Sequence, residues 1–299
     1  RRDLKAINRD NIVDEDSNYC FGEGGAGTYS DGKLYTRSKK RGSVQRILDS
    51  LVVHGAAEDI LYEAHPHIGT NKLPKVVAAM RETVLQYGGE IHFETRLIDF
   101  KQEGNRISEL TTADGKKWPI KSLILATGHS ARDIYHLLHQ KNIRIEAKPF
   151  AMGVRVEHPQ KLINKIQYHG NTYDDLLPAA SYKLVQQVDS RGVYSFCMCP
   201  GGFIVPAATE QNELVVNGMS PSKRDNSFAN SGIVVGIEME DLAPYKEHGP
   251  LAGLVFQQEV EHAVWEAGGN TQMAAAQRLV DFVKGRLSGS LNPSSYIPG

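Results

Sequence analysis

Four glycines within six residues make the stretch FGEGGAGTYSDGKLYTR, residues 21–37, the first candidate for chemistry. Residues 22–27 spell G-x-G-x-x-G, a pattern that holds a dinucleotide diphosphate when a buried strand precedes it and a helix follows. The residues before it are mostly charged or polar, and Ser30, Asp31 and Gly32 after it are typical of a turn. The flanks therefore disfavour this use of the pattern. So many glycines indicate a main chain that adopts positive φ or lies against a flat or bulky group.

Cys197 and Cys199 are the second candidate, because two thiols can act as a redox pair. Alternate residues of a strand lie about 6.5–7 Å apart, at the upper limit for a disulfide. The pair also lacks further Cys or His ligands at the spacings typical of zinc sites. Two interpretations stay open: two small side chains buried in a β core, or a thiol that faces a cofactor or substrate.

A third candidate lies in LILATGHSARD, residues 123–133, where an apolar run meets a predicted helix. Ala126, Thr127 and Gly128 would place backbone N–H groups and a hydroxyl at the carboxyl edge of a sheet, where open α/β sheets bind ligands. His129, at the head of that helix, could hydrogen-bond a ligand. A purely structural turn or helix cap explains the same residues, so both interpretations stay open.

The other polar residues give weaker indications of a functional site. His65 and His67 flank Pro66, but without further ligands they favour a hydrogen-bonded helix entry or a polar contact to a cofactor, and we predict no metal site. Three cations could bind an anionic substrate, although solvated surface charge is the default for each: Arg155, Lys223 and Arg224.

The elements that must position these residues begin with helices. Apolar residues at helical spacing predict a helical segment over 43–87, which ends at Gly88 and Gly89 as a glycine cap. The period then changes to the alternation of a strand over 90–100.

A small antiparallel meander should follow. A second strand, an Asp114–Gly115 turn and the start of a third strand are predicted over 106–120. The run KSLILATG, residues 121–128, is typical of a strand buried on both faces, and a helix should begin at or just after His129 and Ser130. This order predicts an α/β arrangement for residues 1–147.

From residue 148 onward the pattern is one of short strand candidates separated by Gly, Pro and Asn, which predicts a mostly β domain over 148–287. Two helical stretches, 250–269 and 273–287, close it. Residues 288–299 should return towards the first domain. The whole chain is therefore predicted to be α/β, α+β overall. The strand candidates are 149–159, 181–188, 192–207 and 212–220.

Composition narrows the class of protein. The 299 residues are 40% hydrophobic with a formal net charge of -1, which is typical of a globular protein and argues against nucleic acid or an anionic membrane as the main partner. No run approaches the roughly 20 apolar residues of a membrane span. Three cysteines are too few for a secreted disulfide framework, which favours the cytoplasm. Both ends lack a closing element, so we expect a fragment of a longer protein.

Several stretches, in order along almost the whole chain, resemble a family of uncharacterised FAD-dependent dehydrogenases of the glutathione-reductase-like flavoprotein superfamily. They are FGEGGAGTYSDGKLYT (21–36), PHIGTNKL (66–73), LILATGHSARD (123–133), KPFAMGVRVEHP (148–159), YSFCMCPGG (194–202), NGMS (217–220) and FANSGIVV (228–235).

The resemblance implies an FAD cofactor, an incomplete Rossmann-like FAD domain with a β-meander, and a substrate domain, with a small-molecule substrate between them. It places the family's phosphate-binding glycines before this chain, so that the loop at 22–27 would pass beside the flavin. The residues implied at the cofactor are Gly24, Gly25, Ala26, Gly27, Thr28, Ser30, Asp31, Gly32, Lys33, Leu97, Ala126, Thr127 and Gly128. The catalytic candidates are Cys197, Cys199 and His129.

Three functions are weighed. The first is the central part of an FAD-dependent oxidoreductase that transfers hydride through flavin; the second is a non-catalytic module that folds without flavin. The yellow absorption of bound flavin distinguishes them. The third is a nucleotide-binding protein that uses 22–27 as its own fingerprint, which requires a strand directly before Gly22. The substrate, the electron acceptor, any use of NAD(P)H and the oligomeric state stay open.

Overall fold

The structure of this protein is a computed structural model that describes residues 2–29, 31–35, 42–170 and 176–296. The helices are α1 (Arg2–Asp10), α2 (Gly25–Thr28), α3 (Val44–Val53), α4 (Leu73–Gln86), α5 (Arg132–Gln140), α6 (Gln160–Gln167), α7 (Ala252–Ala267) and α8 (Leu279–Val283), with 3₁₀ helices at Glu58–Leu61 and Met239–Leu251. The strands are β1 (Leu97–Glu103), β2 (Arg106–Thr112), β3 (Lys117–Pro119), β4 (Phe150–Pro159), β5 (Val185–Val188), β6 (Arg191–Cys199), β7 (Phe203–Pro206), β8 (Val216–Met219) and β9 (Phe228–Ile237).

Separated segments of the chain combine into two compact units. Unit 1 consists of residues 1–83, 150–237 and 261–299, and unit 2 of residues 84–149 and 238–260. Helices and antiparallel strands occur in both, which confirms the predicted α+β class. The domain limits predicted at 147/148 and 287/288 stay a prediction.

The larger sheet of unit 1 has the strand order β4-β9-β6-β5, and each pair is antiparallel. β9 was not among the predicted strands, although it lies at the centre. Its first half is Phe-Ala-Asn-Ser-Gly, which lacks the alternation of a half-buried strand. β9 pairs along its whole length with β4, from Phe150↔Ile237 to Pro159↔Phe228. These contacts stabilise an extended conformation that the local sequence favours only weakly.

The second sheet of unit 1 is the β7–β8 hairpin, which packs on α1. Ile7 of α1 is completely buried against a cluster that includes Val205 and Met219. The sequence does not predict α1, because residues 2–10 contain few apolar residues at helical spacing. Ile7 shows that one fully buried side chain can anchor such a helix.

The helical segment predicted at 43–87 is confirmed. Ser43 caps α3, since its hydroxyl accepts a hydrogen bond from Arg46 N at 3.3 Å. Leu48, Ile60 and Ile68 form a small apolar core beneath α3 and the 3₁₀ helix that follows. α4 ends before Gly88, whose φ of +80° is the left-handed cap conformation that glycine favours.

Unit 2 contains the predicted meander, β1-β2-β3, with the turn at Asp114–Gly115. The Asp114 carboxylate accepts hydrogen bonds from Thr112 Oγ1 at 2.6 Å and Lys116 N at 3.1 Å, and Gly115 has φ of +80°. α5 packs on β1, and Phe100, Ile134 and Leu137 are buried there.

The structure corrects two predicted strands. Residues 121–128 form no strand, because a strand exists only through hydrogen bonds to a neighbour, and no described residue pairs with them. Ile124 of this run is 91% exposed rather than buried. Of the alternation predicted over 90–100 only the part from Leu97 onward is a strand, since Glu94 adopts a positive φ of 53°.

One predicted helix is confirmed and another is corrected. α5 begins at Arg132 with Ala131 as its N-cap, just after His129 and Ser130, so His129 precedes the first turn rather than standing at its head. Within 273–287 only Leu279–Val283 is helical. The C-terminal segment is fixed to unit 1 in another way, because Ser295 N donates to the Glu157 carboxylate at 3.0 Å and Ser295 Oγ accepts from Ile204 N at 3.1 Å.

Candidate functional site

The glycine loop, residues 22–28, follows irregular chain and not a strand. Between α1 and the loop, residues 11–21 contain no strand, only an isolated bridge between Asp14 and Ser17, and the loop ends in the single turn of α2. The hypothesis that 22–27 is a self-contained nucleotide fingerprint is therefore wrong. The predicted positive φ is found at Gly22, Gly24 and Gly25, with values of 106°, 83° and 58°.

The outer surface of this loop is bare main chain. Gly24, Ala26 and Gly27 are exposed, whereas Thr28 is buried and donates to Glu23 O at 3.3 Å. A Cβ at Gly27 would meet no atom within 4 Å. The loop can therefore accept a flat group without displacing any side chain of its own.

A second segment, residues 66–71, ties the glycine loop to the rest of unit 1. Thr70 Oγ1 donates to Thr28 O at 3.4 Å, and Gly69 N donates to Asp31 O at 3.2 Å. Gly69 has φ of +89°, and a Cβ there would lie 2.4 Å from Ser222 N. Only glycine fits at this close approach. The His67 ring hydrogen-bonds Ser222 O at 3.2 Å, and its polar contact to a cofactor stays a prediction.

Asp31 and Lys33 lie just beyond the loop in a cluster of charges. The Asp31 carboxylate, 1% exposed, is paired with the Arg224 guanidinium and lies 3.6 Å from Lys33 Nζ. Lys33 Nζ also donates to the carbonyl oxygen of Met198. The structure thus brings two predicted loop residues to the predicted thiol pair. Ser30, also predicted at the cofactor, lies outside the described residues.

The thiol pair does not have the geometry of a regular strand. The pairing of β6 with β9 is regular up to Phe196 and shifts register before Cys199, and Cys197 between them has a φ of +47°. The Cys199 thiol lies 3.3 Å from the Cys197 carbonyl oxygen as a hydrogen-bond donor. The expectation from strand alternation is therefore wrong here, because a bulge re-aims one of the two side chains.

The two thiols differ strongly in acidity. A hydrogen bond from the Cys199 side chain, with the nearby positive charges of Lys33 and Arg155, lowers the pKa of Cys197 from its ordinary value of 9.0 to about 6, against the opposing effects of burial and of the Asp31 carboxylate. The pKa of Cys199 is raised well above that value by the same pairing and by its complete burial. Cys197 is half-buried and so accessible in part.

Arg155 is held beside the thiols by a buried amide. Its guanidinium donates to Asn230 Oδ1 at 2.7 Å and to Cys197 O at 3.5 Å. A Cβ at Gly218 would lie 2.1 Å from Asn230 Oδ1, so the absence of a side chain there makes room for this contact. Asn230 Nδ2 is buried with no hydrogen-bond partner among the described residues, which leaves one donor in the cluster unsatisfied.

The remaining predicted residues lie in unit 2. Leu97 begins β1 and lines a small apolar cavity with residues of the 121–128 segment and α5. Ala126, Thr127 and Gly128 are exposed, and so is His129, which contacts Ser130 Oγ at 3.3 Å through Nε2. The roles implied for these residues stay predictions.

One polar relay was missed from the sequence. The Tyr182 hydroxyl hydrogen-bonds His158 Nε2 at 3.1 Å and the buried Ser231 Oγ at 2.7 Å. Burial lowers the pKa of His158 and raises that of Tyr182. No local motif links the three residues, because they come from β4, the chain before β5, and β9. Asn230 was missed for the same reason.

The described residues were also compared with the requirements of a metal site and of a membrane-spanning helix. In the described part of the chain no three residues of the His, Cys, Asp and Glu types gather as a metal site would require. None of the described helices has both the length and the apolar character needed to cross a membrane.

Comparison with known proteins gives two matches. Residues 149–299 match the family model described as FAD-dependent protein, C-terminal domain-like. The chain is also 43% identical over 295 residues to an uncharacterised protein of Clostridium beijerinckii, an alignment that covers 97% of this chain and 54% of that protein. The chain thus spans about half the length of the curated relative it matches.

Proposed function

Because this chain belongs to the family of FAD-dependent proteins that share the C-terminal domain-like region, we propose that it is the central part of an FAD-dependent oxidoreductase of the glutathione-reductase-like superfamily. Bound flavin supplies hydride chemistry, while the protein supplies binding, orientation and exclusion of water. A small molecule is the substrate in this proposal. A dehydrogenase reaction in the cytoplasm is the corresponding cellular role.

The observation that carries the proposal is the bare surface of the glycine loop. Gly24, Ala26 and Gly27 are exposed and carry at most a methyl group, and the Cβ position of Gly27 faces open space. A planar isoalloxazine ring needs such a surface, because any larger side chain would hold it away from the backbone. The residues present therefore fit the flavin.

The charge cluster next to the loop suits the substrate side of the site. Lys33 and Arg155 lie beside the half-buried Cys197, and both are held in place by hydrogen bonds to other residues. Two fixed cations would orient an anionic group of a substrate. Leu97 in unit 2 is assigned to the adenine end of the cofactor, and Ala126, Thr127 and Gly128 to its diphosphate or ribose.

A valine at residue 27 tests the flavin assignment. A Cβ at residue 27 would meet no atom within 4 Å, so in this proposal the valine side chain of Gly27→Val occupies space that the ring needs. FAD binding is measured by the visible absorption of the purified protein and by quenching of FAD fluorescence on titration. We expect the unchanged chain to bind FAD and Gly27→Val to bind it at least about tenfold more weakly, a loss of about 1.4 kcal/mol.

The matched control is Gly192→Val. A Cβ at Gly192 in β6 also meets no atom within 4 Å, and this glycine has no positive φ. This variant should bind FAD as the unchanged chain does. Equal binding by both variants would contradict the role of the loop. A colourless chain that takes up no FAD would favour the non-catalytic module.

A further inference from the structure

We propose that Cys197 and Cys199 form a thiol–disulfide redox pair in which Cys197 attacks a low-molecular-weight disulfide and Cys199 resolves the product. The pair would work in this chain whether or not flavin is bound, because every residue that activates it belongs to unit 1.

The bulge in β6 brings the two residues into position. On a regular strand, alternate side chains stand apart on one face, at the edge of the range that a disulfide can bridge. Here the positive φ of Cys197 breaks that alternation, and the Cys199 thiol turns back to within 3.3 Å of the Cys197 carbonyl oxygen. A residue other than glycine keeps this conformation only where the surrounding structure enforces it.

Two fixed cations select which thiol ionises. Arg155 reaches the Cys197 carbonyl while bound to Asn230, and Lys33 is bound to the neighbouring Met198 carbonyl. The hydrogen bond from Cys199 and these two charges together outweigh burial and the negative charge of Asp31, so that the pKa of Cys197 is lowered to about 6 and a thiolate is favoured. Thiolates, not thiols, attack disulfides.

Burial separates the roles of the two sulfurs. Cys197 is half-buried, whereas Cys199 is 0% exposed, so of the two residues Cys197 is the one open to a small reagent. Cys197 is therefore the attacking residue. Cys199 can react only with a sulfur that is already bound at Cys197.

The reaction exchanges one S–S bond for another. The Cys197 thiolate attacks one sulfur of R–S–S–R, forming a mixed disulfide and releasing RS⁻. Cys199 gives its proton to that RS⁻, and its sulfur attacks the Cys197 sulfur and releases a second RS⁻. The two cysteines lose two electrons and become a disulfide, and the small disulfide gains them as RSH and RS⁻.

Oxidised glutathione is the probe, added to the full chain in a Cys20→Ser background so that no third thiol reacts. The background protein should lose the mass of two hydrogens without retaining glutathione, and peptide mapping should locate a Cys197–Cys199 disulfide. Cys199→Ala should stop at a stable glutathione adduct on Cys197. Cys197→Ala should react at least about tenfold more slowly.

Two lysine variants, one beside Cys197 and one as a matched control, test whether the charge of Lys33 activates the Cys197 thiol. Lys33→Gln should move the half-maximal pH of the reaction upward, and Lys161→Gln, at an exposed position of α6, should leave it unchanged. A stable mixed disulfide in the background protein, or equal rates for Cys197→Ala and Cys199→Ala, would overturn the proposal. The Cys197–Cys199 disulfide is mapped in the Cys20→Ser background protein, which contains neither lysine variant. The proposal can therefore be tested even if a lysine variant does not fold.

Discussion

The carboxylate of Asp31 is held by the guanidinium of Arg224, which lies 193 residues further along the chain. Arg224 Nε donates to Asp31 Oδ1 at 3.2 Å, and a second nitrogen donates to Oδ2, so that the pair is bidentate. Asp31 is 1% exposed. This one pair joins the segment after the glycine loop to the segment after β8.

Removal of one partner should leave a buried charge uncompensated. We expect Arg224→Gln, which leaves the buried Asp31 carboxylate without its bidentate partner, to lower the free energy of unfolding by about 3 kcal/mol, measured by urea denaturation. Glu266→Gln is the control, since its pair with His262 is more than half exposed on the Glu266 side and should contribute less than about 1 kcal/mol. Equal losses for both variants would refute the structural role of the Asp31 pair.

Local signals in the sequence were enough for part of the site. Lys33, Arg155 and the two cysteines could be singled out by residue type alone, and the structure brings them together. Their convergence could not be predicted, because it depends on pairings between distant strands and on a bulge that no residue type announces. Asn230, buried behind Arg155, gave no signal at all.

The elements of the fold also divide into those that the sequence alone predicts and those that depend on distant neighbours. The Asp114–Gly115 turn and the cap at Gly88 follow from the residues themselves, and both are confirmed. The run at 121–128 fails for the opposite reason. Its apolar residues indicate a strand buried on both faces, but such a strand needs hydrogen-bonded neighbours, and no described residue pairs with this run. β9 is the converse case, in which neighbours impose a strand on a weak pattern.

A second prediction concerns Gly201, at the turn between β6 and β7. This glycine has φ of +49°, and a Cβ would lie 1.7 Å from the Arg224 carbonyl oxygen, a backbone atom that cannot swing away. Gly201→Ala should therefore cost about 2–4 kcal/mol of unfolding free energy. Gly192→Ala, where a Cβ meets open space, should be neutral or stabilising by up to about 1 kcal/mol. A neutral Gly201→Ala in the same urea experiment would show that the turn does not have this geometry.

The thiol pair should make stability depend on pH under reducing conditions. The folded pKa of Cys197 is about 6 against an ordinary value of 9.0, so the unfolded chain binds more protons between these values. The contribution of Cys197 is therefore complete above pH 9.0 and is lost as the pH falls towards 6. The raised pKa of Cys199 acts in the other direction, so stability should fall again above pH 9.0.

Urea denaturation over this pH range checks the sign. The unfolding free energy of the Cys20→Ser protein should rise from pH 6 to pH 9.0, and that of a Cys20→Ser, Cys197→Ser protein should rise less. Parallel pH profiles for the two proteins would mean that the pKa of Cys197 is not lowered in the folded protein.

The last prediction uses the relay of His158, Tyr182 and Ser231. Burial lowers the pKa of His158 below its ordinary value of 6.5, and the carboxylate of Glu157 opposes this only in part. Because the unfolded chain then binds more protons just below pH 6.5, the contribution of His158 is complete above that pH and is lost on acidification. His158→Gln keeps a side chain that can hydrogen-bond Tyr182 but cannot titrate. Its unfolding free energy should therefore fall less between pH 6.5 and pH 5 than that of the unchanged chain, with His262→Gln, an exposed histidine, as the control. An identical fall in all three proteins would place the acid sensitivity elsewhere in the chain.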